Sequence, residues 1–158
     1  ADFAELEQVE MTSTYALMVR LLGKPHFSWE AAVVRNSPLR WISLNPQLPP
    51  KRTSTPFVAY STDSWAKQHL DLDTPRVKSL LLSEFVDITQ VPPEKIDFAS
   101  AHRWRYAQVS KPASKPFLWD SQLRLAACGD WCGDGRAEAA FFSARELARK
   151  LRKEIVGT

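Results

Sequence analysis

Glycine is scarce in this chain, with five in 158 residues, and three of those five crowd into positions 129–135. Such a distribution excludes glycine-rich linkers and low-complexity tracts, and it marks one turn as special. Cysteine is scarcer still. Cys128 and Cys132 cannot build a disulfide framework, and their C-x3-C spacing fits neither the redox C-x-x-C nor the paired spacings of zinc sites. Half-buried free thiols are expected, and no metal site. Long apolar runs are missing, so no stretch approaches the length that crosses a bilayer, and the acidic start Ala1-Asp2-Phe3-Ala4-Glu5 is not a signal peptide. A soluble, cytoplasmic protein without membrane contacts is the expectation. The net charge of +3 is too small to argue for nucleic acid by itself. Much of the excess sits at Arg145, Arg149, Lys150, Arg152 and Lys153, where cations offset the negative end of a helix. What is present suffices for a core: 44% of residues are hydrophobic and 11% aromatic.

Residues 12–22 alternate as a half-buried strand with Tyr15, Leu17, Val19 and Leu21 on one face, ended by Gly23 and Pro25. Shorter strands are predicted at about 29–35, 39–44 and 56–61, the last two separated by a proline-rich loop over 46–56. Thr62 can cap a short helix through Leu70. Thr74-Pro75 reads as a second helix start, followed by an apolar stripe of Val77, Leu80, Leu81, Phe85 and Ile88 and closed by Pro92-Pro93. A long strand is predicted from Phe98 to Val109, another ending near Cys128, and a last helix from about Arg136 to Lys153. The chain starts without methionine and soon enters a strand that needs partners, which fits a piece of a longer protein.

The most informative stretch is Leu125-Ala126-Ala127-Cys128-Gly129-Asp130-Trp131-Cys132-Gly133-Asp134-Gly135-Arg136-Ala137-Glu138-Ala139-Ala140. An apolar strand stops at Gly-Asp, and a short glycine-containing turn feeds a helix whose first residues are small. Glycine lets a ligand approach the backbone, and a helix start offers unpaired N–H groups and the positive end of a dipole. The ordinary alternative is a tight strand–helix connection in which Asp130 and Asp134 serve as caps.

Gly129-Asp130-Trp131, followed by Gly135-Arg136-Ala137-Glu138-Ala139-Ala140-Phe141 and Ser143, resembles the C-terminal flavin motif of FAD-dependent amine oxidases, in particular their renalase-like bacterial members. Trp41-Ile42-Ser43-Leu44-Asn45, Ser61-Thr62-Asp63-Ser64-Trp65 with His69-Leu70, and His102-Arg103-Trp104-Arg105-Tyr106-Ala107 follow in the family's order, so the resemblance covers most of the chain. It implies that Gly129 and Asp130 lie by the pyrophosphate and ribityl chain of FAD, that Arg136, Ala137, Glu138 and Ala139 lie near the pyrimidine edge of the flavin, and that Trp131 and Gly135 belong to the same cofactor-binding set. Ala139 and Ala144 stand where many members carry glycine, and each adds a methyl near the expected contact. The family's G-x-G-x-x-G strand–turn–helix occurs nowhere here. The resemblance thus implies the C-terminal half of an oxidoreductase that oxidises an amine or a reduced nicotinamide by hydride transfer to flavin, with oxygen as acceptor. This chain alone is expected to be inactive and to bind FAD weakly or not at all. Its partners would be a small-molecule substrate and the missing FAD-binding half.

On the strand through His102, alternation puts Phe98, His102, Trp104 and Tyr106 on one face and Arg103 and Arg105 on the other. One reading makes His102, Trp104 and Tyr106 a substrate-binding wall. The other makes Trp104 and Tyr106 core and His102 a structural hydrogen-bonding group. The arginines could bind an anion or pair with Glu94 and Asp97. No catalytic acid or base is assigned, because a flavin takes up hydride directly. A different class of function is a single-stranded nucleic-acid module using Arg103, Arg105, Trp104 and Tyr106, which the opposite-face placement weakens.

The expected fold is α+β. A mixed or antiparallel sheet with two helices forms a substrate lobe over 1–116. A strand–turn–helix over 117–158 belongs to an FAD/NAD(P)-binding fold whose N-terminal part is absent. The last helix would expose an apolar edge and favour self-association.

Overall fold

The computed structural model describes residues 2–23, 27–44 and 54–157, so the proline-rich loop expected at 46–56 lies largely outside the described residues. After a 3-10 segment at Asp2–Gln8, the chain forms β1 (Glu10–Leu22), β2 (Ala31–Val33), β3 (Leu39–Leu44) and β4 (Ser54–Ser61). Helices α1 (Asp63–Gln68) and α2 (Thr74–Thr89) follow, then β5 (Ile96–Lys111), β6 (Leu118–Asp120), β7 (Leu125–Ala127) and α3 (Ala137–Val156). The protein is α+β. Its main sheet has the order β2-β3-β4-β1-β5, with β1/β4, β2/β3 and β3/β4 antiparallel, and β6 and β7 make a separate antiparallel pair. The chain divides into two compact units, Ser13–Arg105 and Ala1–Thr12 with Tyr106–Thr158. No helix among the described residues is long and apolar enough to cross a membrane.

In the Ser13–Arg105 unit the period of two in β1 sets the core. Tyr15, Leu17, Val19 and Leu21 are all fully buried, as the alternation predicts. The register Leu17↔Ala59 and Val19↔Phe57 places Ala59 and Phe57 of β4 on the same face, and Ala59 in turn faces Ile42 of β3. Ala66 of α1 and Val77, Leu81 and Phe85 of α2 complete one cluster, with the Phe57 and Phe85 rings edge to face at 5.6 Å. Each such buried Leu or Phe contributes about 1.5–3 kcal/mol. The stripe predicted for α2 is therefore core.

The helix starts follow local chemistry. Thr62 caps α1 as expected, its Oγ1 accepting from the Trp65 amide at 3.2 Å. The cap of α2 is Asp73 and not Thr74: Asp73 Oδ1 accepts from Arg76 N at 2.8 Å. Pro75 then sits at the second helical position, where its missing N–H still costs no intrahelical bond. Gln90 ends the helix in the left-handed region, φ 55°, ahead of Pro92. Ser61, fully buried at the end of β4, accepts the Tyr15 amide on its Oγ at 2.9 Å, and its carbonyl accepts from Thr14 Oγ1 at 2.9 Å.

Candidate functional site

In the unit that holds the C-terminus, the hairpin of β6 and β7 delivers the chain to the glycine turn. Asp120 Oδ1 accepts from the amides of Gln122 and Leu123 at 3.0 and 2.9 Å, closing the hairpin's end. β7 then stops at Ala127, and Asp130–Cys132 form a single 3-10 turn. Its Trp131 carbonyl accepts from Ala113 N at 2.9 Å, which ties the turn to the segment after β5.

Two of the glycines are required by geometry. Gly135 has φ +76°, and a Cβ there would meet Val109 of β5 at 3.2 Å. Both the conformation and the space demand glycine. At Gly133 a Cβ would stand 2.9 Å from the Cβ of Ala139, so the turn and the first turn of α3 press directly on each other. The methyl of Ala139, one of the two departures from the family pattern, is thus placed against Gly133.

Ser143, only 4% exposed, fastens the arrangement. Its Oγ accepts from Gly129 N at 3.1 Å and donates to the Pro116 carbonyl at 2.6 Å. One hydroxyl therefore joins the second turn of α3, the end of β7 and the strand's approach. Cys132 lies beside it, and partial burial pushes that thiol up while the Ser143 contact opposes the shift. Both cysteines are free and half-buried, and no group of residues capable of holding a metal occurs among the described residues.

The opening of α3 holds most of the cofactor-binding residues expected from the sequence. Arg136 occupies the cap position with extended backbone, and no side chain caps the helix. The ordinary alternative, Asp134 as cap, is corrected here: its carboxylate turns to Arg136, taking the amide at 3.4 Å and Nε at 3.2 Å. Arg136, Ala137 and Glu138 are exposed, while Gly129, Asp130, Trp131, Gly135 and Ala139 are half-buried. Uncapped amides and a positive helix end at an accessible place suit a negative or strongly polarised ligand atom. Nearby on α3, Phe141 and Phe142 are 63% and 50% exposed, and the Arg145 guanidinium lies 4.8 Å from the Phe142 ring.

The aromatic strand belongs elsewhere. In the Ser13–Arg105 unit, His102 and Trp104 meet edge to face at 4.6 Å, and both are exposed. Phe98 is exposed too, under the Arg20 guanidinium at 5.6 Å. Tyr106, which falls in the other unit, is exposed as well. Trp104 and Tyr106 are therefore not core, contrary to the packed-sheet alternative, because the buried side of β5 is the one bearing Ala101. His102 makes no hydrogen bond among the described residues, so it is not the structural anchor of that alternative either. Arg103 points the other way and donates to the Leu70 carbonyl at 2.6 Å, just past α1. That bond removes Arg103 from a combined aromatic–arginine platform. Asp97 pairs with Arg20 of β1, through Nε to both carboxylate oxygens at 3.0 Å, and not with the strand's own arginines.

The register reveals residues that motif reasoning missed. Ala16↔Tyr60, Met18↔Val58, Trp41↔Tyr60 and Val33↔Trp41 place Val33, Trp41, Tyr60, Val58 and Met18 on the sheet face opposite the helices. Val33, Trp41 and Met18 are exposed there, and Tyr60 and Val58 are half-buried. The available signal was the alternation of Trp41 with Ile42 in β3 and of Tyr60 with Ala59 in β4, but it needs the pairing to become a surface.

No protein-family profile matches this chain. The site therefore stands on its geometry and on the motif resemblance. The structure brings together the expected residues around the start of α3 in one unit, which also holds Tyr106, and His102 with Trp104 in the other.

Proposed function

We propose that this chain is the substrate-side and flavin-facing C-terminal part of an FAD-dependent oxidoreductase acting on an amine or a reduced nicotinamide. The observation that carries the reading is the uncapped, accessible start of α3, held against the glycine turn by Gly133, Gly135 and Ser143. The residues fit the cofactor: a helix start whose Ala137 and Glu138 amides have no acceptor among the described residues favours negative charge by about 0.3–1 kcal/mol, up to ~2 when partly buried. Ala137 and Glu138 would present amides to the N1–C2=O edge of the flavin, while the Ala139 amide closes the first turn by donating to the Arg136 carbonyl at 3.0 Å. Gly129 and Asp130 would lie along the ribityl and pyrophosphate groups, and Arg136, with Asp134 beside it, stays in reach of the same anion. FAD, when bound, supplies the hydride acceptor.

The remaining work falls to binding and orientation. Exposed Trp104, with His102 against its edge, offers a flat aromatic wall to a planar substrate. Val33, Trp41 and Met18 extend the apolar surface on their sheet face, which would exclude water from a reacting centre. No side chain is assigned as acid or base.

Purification of the protein encoded by the complete reading frame tests this. A yellow protein releasing one FAD per chain on denaturation is expected, while the 158-residue chain alone stays colourless. A colourless complete protein that takes up no added FAD contradicts the proposal.

A further inference from the structure

We infer that the C-terminal half of α3 forms a second binding site, for a nucleoside oligophosphate, in an open groove of about 670 Å³ lined by Phe117, Glu146, Arg149, Lys150, Arg152 and Lys153. Its size falls within the range of small-molecule sites. The lining sets four cations against the single carboxylate of Glu146, an excess of three that equals the net charge of the whole chain. Helix-end electrostatics accounts for little of this. The dipole acts within the last turn, which contains Lys153 but not Arg149, Lys150 or Arg152.

Local pairing accounts for part. Arg149 Nη1 donates to Glu146 Oε1 at 2.6 Å, and Lys150 Nζ lies 2.5 Å from Glu154, whose other oxygen accepts from Trp119 Nε1 at 2.7 Å. These bonds hold the groove's walls in place. Arg152 and Lys153 make no ion pair among the described residues, so two cations remain available beside a pre-ordered third, Arg149. A planar guanidinium with an adjacent ammonium suits phosphate oxygens, the first through paired N–H bonds and the second as a point charge. Phe117, half-buried between Pro116 and β6, adds an aromatic surface to the same groove. Charge for phosphates beside an aromatic ring for a base is the combination a nucleotide requires. The site uses none of the residues assigned to flavin and does not depend on that reading.

Calorimetric titration of the 158-residue chain with ADP, inorganic pyrophosphate and adenosine tests the inference. ADP is expected to bind saturably at one per chain, pyrophosphate about tenfold more weakly, and adenosine undetectably. The double variant Arg152→Gln/Lys153→Gln should lose ADP affinity at least about tenfold. Arg35→Gln/Arg76→Gln, which removes the same charge from exposed positions in the other unit, should change it by less than about twofold. All four positions are exposed, and unchanged circular dichroism confirms folding. Failure of ADP to saturate, or an equal loss in both double variants, overturns the site. Phe117→Leu should bring ADP down to pyrophosphate, and an undiminished ADP advantage there overturns the nucleoside half of the assignment.

Discussion

A methyl at position 133 measures how tightly the glycine turn is clamped to α3. The added Cβ would lie 2.9 Å from the Ala139 Cβ, whereas carbon atoms rest at about 3.5–4.0 Å. Turn and helix must then part by roughly 0.6 Å or more. Overpacking of this kind costs about 1–3 kcal/mol, and replacing glycine by alanine returns about 0.4–1 through the unfolded chain. Taken at the middle of both ranges, Gly133→Ala should therefore destabilise by about 1.3 kcal/mol net. Ala139→Gly opens the space at a helix-propensity cost of up to about 1 kcal/mol. The double variant should be better than the sum of the two by about 1–3 kcal/mol, the clash that no longer exists. Urea denaturation gives the three free energies, and hydrogen exchange of α3 amides shows where the loss falls. A neutral or stabilising Gly133→Ala, or additive single variants, refutes the contact and with it the placement of the helix start.

Three further outcomes follow from the same geometry. Ser143→Ala strands the Pro116 carbonyl and the Gly129 amide and should cost about 1–3 kcal/mol, with faster exchange at Gly129; protection unchanged at Gly129 would contradict the bond. Asp73→Ala should cost about 0.5–2 kcal/mol and Thr74→Ala much less, reversing the order that the Thr-Pro signal suggests; denaturation midpoints decide between them. Glu154 is held below the ordinary glutamate range by Lys150 first and the Trp119 indole second, although burial opposes it. Its stabilising share should be complete above that range and vanish as pH falls through the lowered value, so the gap between wild type and Glu154→Gln should close on acidification. A gap that persists or widens in acid would contradict the pairing.

Much of the local structure was legible because local rules wrote it. β3 spans the predicted 39–44, the four-residue alternation of β1 is buried as read, and Thr62 caps where its hydroxyl suggested. Asp73-Thr74-Pro75 misled because two adjacent residues can both cap, and only backbone geometry separates them. β6 escaped notice, being three residues long and defined by its partner β7. At the candidate site, the glycine turn announced itself by composition. Its fastening by Ser143 did not, since the bonds reach back 14 and 27 residues. The exposed sheet face was equally hidden: Val33, Trp41 and Tyr60 become neighbours only through the register of three strands. Periodicity predicted which faces β5 has but not which one is buried, and Arg103 took the side of Leu70.

A crystal structure of the complete protein grown with added FAD bears most directly on the central proposal. The flavin's N1–C2=O edge should lie about 2.7–3.2 Å from the backbone amide of Ala137 or Glu138. Those amides found against protein side chains, with the flavin seated elsewhere, would contradict it.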